Sequence, residues 1–203
     1  LYAYKVLNAS GRGMESDIIE AVEWSVDPDR DGDFSDRLDV VNMSLGNDGG
    51  SPTDPSSIAV DNAIGLGAVF CVAAGNAGAR TPVEGKENNY FFDGSATIGS
   101  PGTAELAITV GASDSSGHRA IFSSKGPNRV SFSVKPDVLA PGVGIYSTYL
   151  SSGFKVQSGT SMATPMITGV AALLRSTHPS WDPGMIKSAI VNHARDAGFS
   201  AYL

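Results

Sequence analysis

The sequence predicts an α/β fold in which a mostly parallel sheet lies between two helical layers, three layers in all. Three observations carry that expectation. Short runs at 40–45 and 68–73 are apolar at consecutive positions, as strands covered on both faces are. Between them lie segments of helical periodicity with their own start and stop signals. The length of 203 residues, with 41% hydrophobic and 17% charged side chains, suits one globular domain.

The elements follow in chain order. Residues 1–7 alternate like a strand, and Gly11 and Gly13 mark a turn. Ser16 stands as an N-cap before a helix carried by Ile18, Ile19, Val22 and Trp24. After an acidic loop at 27–36 and the strand at 40–45, Asp54 and Pro55 supply a cap and a first-turn proline. The helix they open runs through Ile58, Ala59, Asn62 and Ala63 and ends around Gly65 and Gly67. Residues 68–73 and 106–110 are further strands, and 145–148 with 154–156 form a hairpin about 151–153. The longest apolar helix begins near Thr160 and should bury Met166, Val170, Leu173 and Leu174. It stops before His178, because Pro179 pushes its predecessor out of helical geometry. A last helix opens at Asp182 and Pro183 and reaches about His193. No repeat or interdomain linker interrupts the pattern.

Composition excludes several functions. A net charge of -7 without any basic stripe argues against nucleic acid or an anionic membrane as partner. No apolar run reaches the roughly 18 residues that a membrane-spanning helix needs. The first residues lack the basic leader, apolar core and cleavage site of a signal peptide. The single cysteine, Cys71, excludes an intramolecular disulfide and sits in an apolar run as a buried strand residue.

Two segments carry chemistry. Gly159-Thr160-Ser161-Met162-Ala163-Thr164-Pro165 places a serine in the first turn of the long helix, where unpaired N–H groups and the helix dipole favour an oxyanion. Taken alone, such a serine is more often an N-cap than a nucleophile. Val72-Ala73-Ala74-Gly75-Asn76 ends a strand with an amide, either a turn residue or an oxyanion donor. Met162, beside the serine, is a candidate for oxidation.

Together these two segments resemble the serine signature and the oxyanion segment of the subtilisin-like serine peptidases, the subtilases. Val41-Asn42-Met43-Ser44-Leu45-Gly46 is similar to that family's groove wall, and residues 97–102 to the floor of its specificity pocket. Residues 122–127 and 135–142 extend the likeness over almost the whole chain. The resemblance implies a three-layer subtilisin-like fold and an endopeptidase that cleaves proteins or peptides through an acyl-enzyme on Ser161. Asn76 and the Ser161 amide would donate to the oxyanion. Ser44, Leu45, Gly46, Ala73, Ala74, Gly75, Gly99 and Thr160 would bind substrate, with Gly99 leaving room for a large apolar P1 side chain. Resemblance also implies a cis Ser100-Pro101 peptide, no cofactor for the chemistry, and a secreted or cell-surface location.

The family's other two catalytic residues have no counterpart. Neither an Asp-Thr-Gly or Asp-Ser-Gly segment nor a His-Gly-Thr occurs, and His118, His178 and His193 stand in unrelated contexts. Residues 1–203 are therefore expected to be the later part of a subtilase catalytic domain, truncated on its N-terminal side and inactive alone. In the family fold, one missing strand lies between those matching 1–7 and 40–45. The gap should close by direct pairing of these two segments or by another chain, giving self-association through the incomplete sheet. A different class remains open: a non-catalytic peptide-binding or calcium-binding module that keeps only the groove. A nucleotide site has little support, since no GxGxxG or GxxxxGK[ST] follows a strand.

The acidic loop carries Asp27, Asp29, Asp31 and Asp33 at alternate positions with Gly32 sixth, like the first half of a calcium-binding hand. Leu38 occupies the twelfth position, where that motif needs a bidentate glutamate. A structural calcium and a solvated acidic turn both remain open.

Overall fold

A computed structural model describes residues 1–78, 95–150 and 152–196. The Gly- and Asn-rich loop expected from Gly75 to Ser95 lies largely outside these residues, between 79 and 94, as does Ser151 of the hairpin turn. Four strands, β1 (Val40–Met43), β2 (Val69–Ala73), β3 (Ile108–Ser113) and β4 (Val138–Pro141), pair in parallel in the order β1-β2-β3-β4. A hairpin of β5 (Ile145–Tyr149) and β6 (Gly153–Gln157) stands apart from the sheet.

Strand β2 explains the layering. Its side chains alternate between faces, and all five residues are buried. Phe70 and Val72 face helices α1 (Glu15–Val26) and α2 (Pro55–Gly65), packing with Val22, Val26, Val60, Ala63 and Ile64. Val69 and Cys71 face helices α3 (Thr160–Thr177) and α4 (Pro183–Asn192), packing with Ala163, Ile167, Ala171, Ile186 and Ile190. Burial pushes the Cys71 thiol up to about 12, so it is an inert core residue. The three-layer α/β expectation holds. Among the described residues no helix is long and apolar enough to cross a membrane.

Four details differ from the sequence reading, each for a local reason. Helix α1 starts before Ser16: Met14 is the N-cap, and the Asp17 carboxylate accepts the Met14 N–H at 3.5 Å. Strand β4 went unforeseen because its four residues end in a proline and its apolar run is short. Helix α3 buries Thr160, Ala163, Thr164, Ile167 and Ala171, mostly small residues that let the helix lie close on β2 and β3. Met166, Val170 and Leu173, expected inside, are 45%, 43% and 69% exposed.

The fourth difference concerns residues 1–7, which form no strand. The rings of Tyr2 and Tyr4 instead rest on Trp24 of α1, with centroids 6.0 and 5.4 Å away. Sheet neighbours must approach to about 4.8 Å. Here a cleft of about 1020 Å³, lined by Tyr2, Tyr4, Val40 and Val41 among others, lies between the segment and β1. Direct pairing of residues 1–7 with 40–45 is therefore not how the sheet ends. Among the described strands, β1 pairs with β2 alone.

Candidate active site

In a parallel sheet, side chains of different strands converge beyond the carboxyl ends. Chain leaving β1 supplies Ser44, Leu45 and Gly46, chain leaving β2 supplies Gly75 and Asn76, and the head of α3 lies across both. One cleft of about 610 Å³ is lined by Ser44, Leu45, Gly46, Ala73, Gly75, Asn76, Thr160 and Ser161. Most of the residues chosen from sequence therefore meet in one place.

Asn76 is held by its oxygen. Its Oδ1 accepts the Thr160 backbone N–H at 2.9 Å, across 84 residues of sequence, and the Thr160 hydroxyl at 3.2 Å. Thr160 Oγ1 in turn accepts the Gly75 N–H at 3.2 Å. With its oxygen committed to Thr160, the carboxamide leaves its NH2 group free to donate. A Cβ at Gly159 would sit 3.6 Å from Asn76 Nδ2, so that amide lies beside the turn leading into Ser161. Thr160 is fully buried, and the hydrogen bonds of its N–H and hydroxyl run to Asn76 and Gly75.

The turn that carries Ser161 is pinned reciprocally. Ser161 Oγ donates to the Ser44 carbonyl at 3.0 Å, and Ser44 Oγ donates to the Ser161 carbonyl at 2.9 Å. Pro165 makes the second bond available: it lacks the N–H that would otherwise close the helical turn onto the Ser161 oxygen. Behind this pair, Asn42 Nδ2 donates to Ser44 Oγ at 3.0 Å and Thr168 Oγ1 donates to Asn42 Oδ1 at 2.9 Å. The signal for this arrangement, a proline four residues after the serine, is visible in the sequence.

Ala74 and Gly99 lie one layer behind the lining. Gly99 N donates to the Ala74 carbonyl at 3.0 Å, and a Cβ on Gly99 would fall 1.8 Å from the Asn47 carbonyl oxygen. The space beside Gly99 thus holds Asn47, a residue the sequence reading missed. Asn47 N donates to the Ser100 carbonyl at 2.9 Å and its Oδ1 accepts Ser100 N at 2.8 Å, which binds the two walls together. The Ser100-Pro101 peptide is cis as expected, and Gly126-Pro127 and Lys135-Pro136 are also cis.

No histidine reaches Ser161. His118 lies near Asp114 in an exposed turn, His178 stacks on Trp181 at 3.9 Å, and His193 Nδ1 lies 2.9 Å from the Ala189 carbonyl. In the acidic loop, carboxylate oxygens of Asp27, Asp29 and Asp36 lie within 4.8 Å of one another. Asp31 and Asp33 are not in that group. Their carboxylates accept the backbone N–H groups of Asp33 and Ser35, and Asp27 accepts those of Asp31 and Gly32.

The fold and site define a class: a parallel α/β protein that presents a serine at the head of a buried helix, beside an oriented carboxamide. The chain belongs to the subtilase family, whose model matches residues 1–202. It is 39% identical over 202 residues to subtilisin DY of Bacillus licheniformis, covering 100% of this chain and 63% of that protein. Against subtilisin E of Bacillus subtilis (strain 168) it is 38% identical over 204 residues, covering 100% of this chain and 45% of the relative. A crystal structure of a cold-adapted subtilisin-like serine proteinase superposes with a TM-score of 0.70 at 33% identity, over 93% of this chain and 57% of that one. The chain therefore spans roughly half to under two thirds of the length of these relatives.

Proposed function

We propose that the chain supplies the nucleophile and oxyanion half of a serine endopeptidase that hydrolyses peptide bonds in proteins. The observation that carries this reading is the meeting of Ser161 with Asn76, whose carboxamide is turned by two bonds from Thr160. Ser161 Oγ would attack the scissile carbonyl, forming a C–O bond while its proton passes to a base. Negative charge on the former carbonyl oxygen would be met by the Ser161 N–H and Asn76 Nδ2. Collapse breaks the C–N bond, the protonated amine leaves, and water hydrolyses the acyl-enzyme. The cleft walls at Ser44–Gly46 and Ala73–Gly75 would hold the substrate backbone by strand addition.

The base must come from elsewhere. In this chain Ser161 Oγ donates to a carbonyl oxygen that cannot carry off a proton, and no described histidine is near. The isolated chain is accordingly expected to be inactive, with the Asp and His furnished by other sequence of a parent protein. That sequence, or a second copy, would also cover the open edge of β1. On family grounds we place the parent protein outside the cell or at its surface. Purified residues 1–203 should not hydrolyse casein, whereas the full-length parent should, and Ser161→Ala should abolish the activity. Casein hydrolysis by the isolated chain that Ser161→Ala removes would refute the division of labour.

A second reading, a peptide-binding module without catalysis, is favoured by the same base-free Ser161. A parent protein that lacks Asp and His motifs, binds peptides and does not cleave them would establish it. For the acidic loop, a calcium ion held by Asp27, Asp29 and Asp36 fits the all-oxygen donor set that calcium prefers. Calcium should then raise the melting temperature of the chain and a chelator reverse it. An unchanged melting temperature would leave a solvated turn.

A further inference from the structure

A buried ionic cluster unconnected with Ser161 sits at the amino-terminal ends of β3 and β4, away from the carboxyl ends that form the cleft. Lys135 Nζ donates to the Ala107 carbonyl at 3.0 Å, to Thr109 Oγ1 at 2.9 Å and to Asp137 Oδ2 at 2.8 Å. Its side chain is 1% exposed. Lys187, reaching in from α4, donates to the carbonyls of Glu105 at 3.0 Å and Ala107 at 2.8 Å, and lies 3.0 Å from Asp137 Oδ1. Two ammonium groups therefore share one carbonyl and one carboxylate.

Other acidic groups nearby are already committed. Glu105 Oε1 accepts from Ser131, Ser133 and Asn128. Asp61 of α2 accepts the backbone N–H groups of Glu105 and Leu106. The charges that face Lys135 are thus Asp137, Lys187 and, farther off, Glu105. Two cations around one near carboxylate make the more buried cation the easier to neutralise. Burial first, and then the Lys187 charge, push Lys135 down from 10.5 to about 8, against the opposing pull of Asp137 and Glu105. When Lys135 is neutral, Asp137 still keeps Lys187 on one oxygen and the Thr109 N–H on the other at 2.7 Å.

We propose that Lys135, Lys187 and Asp137 form an alkaline proton-release site at the base of the sheet, at which Lys135 gives its proton to solvent while Lys187 holds the ion pair. The folded state then gains stability from this group as pH rises. The sign follows from linkage: a folded-state value below the unfolded one means that the charged lysine penalises the fold at neutral pH. That penalty is present below about 8 and is relieved as pH climbs toward 10.5.

The test uses the whole chain labelled with ¹³C at lysine Cε and titrated by NMR from about pH 6 to about pH 11, which spans the ordinary lysine range. The Lys135 resonance should titrate at about pH 8, well below the ordinary lysine value of about 10.4. Lys187→Gln should raise the Lys135 midpoint by removing a like charge, and Asp137→Asn should lower it. Titration of Lys135 in the ordinary lysine range, or a midpoint that Lys187→Gln leaves in place, would overturn the proposal. Should Asp137→Asn fail to fold, thermal unfolding of wild type against Lys135→Met decides: wild type must gain on the variant between about pH 8 and 10.5, and a loss there refutes it.

Discussion

Gly99→Ala tests how tightly the two walls of the cleft are joined. The added Cβ would lie 1.8 Å from the Asn47 carbonyl oxygen, and ordinary contact needs about 3.4 Å, so the walls must part by about 1.6 Å. Both partners are backbone, so no side chain can swing aside. The bonds that would stretch are Asn47 N to the Ser100 carbonyl at 2.9 Å, Gly50 N to the Ile98 carbonyl at 2.8 Å and Ser100 N to Asn47 Oδ1 at 2.8 Å. Losing two or three such bonds at about 1 kcal/mol each gives a cost of about 3 kcal/mol, in the range usual for overpacking. For a chain of this size that corresponds to a fall of roughly 6–12 °C in melting temperature. Thermal unfolding followed by circular dichroism, with a urea titration for the free energy, measures it. A loss below about 0.5 kcal/mol, the scatter of a surface substitution, would mean that the walls are not coupled through Asn47.

The remaining predictions use the same assays. Gly169 lies within α3 with open space where a Cβ would go, so Gly169→Ala should stabilise by about 0.5–1 kcal/mol; destabilisation would show that the position is packed. Ser44→Ala removes the donor to the Ser161 carbonyl, which Pro165 cannot replace, and should cost about 1–2 kcal/mol in chemical denaturation. A neutral result would remove Ser44 from the support of the turn that carries Ser161. For Lys135, held at about 8 against the ordinary 10.5, wild type should gain on the order of 3 kcal/mol over Lys135→Met across that pH window. A difference that stays flat with pH would rule out an internal titrating lysine.

Legibility from sequence followed the physics of each segment. Strand β2 was clear because five buried positions in a row have no polar face to confuse the period, and α4 was clear because Asp182 and Pro183 announce its start. Residues 1–7 misled because alternation shows only that a segment could pair. Whether it does depends on a neighbour, and here Tyr2 and Tyr4 dock on Trp24 instead. Apolar spacing on α3 pointed to Met166, Val170 and Leu173, yet the sheet takes the face of small residues because closer approach buries more of the helix. At the site, Ser161 and Asn76 were legible as motifs. Asn47 was not, since its role comes from meeting Gly99 and Ser100 across more than fifty residues. Sequence could not tell Asp31 and Asp33 from Asp27 and Asp29 either: all four carboxylates accept backbone N–H groups, and only the fold of the loop brings Asp27 and Asp29 beside Asp36.

The most direct measurement of the proposed function is the turnover number of Asn76→Ala in the proposed parent protein. Thr160 turns the Asn76 oxygen inward, so its amide should serve only the charge that develops during attack. In a subtilisin, the standard measured case, removing such a donor costs roughly 10²–10³ in kcat, and the same loss with little change in KM is predicted here. A kcat equal to wild type would contradict the account, because the amide would then have no part in stabilising charge on the carbonyl that Ser161 is proposed to attack.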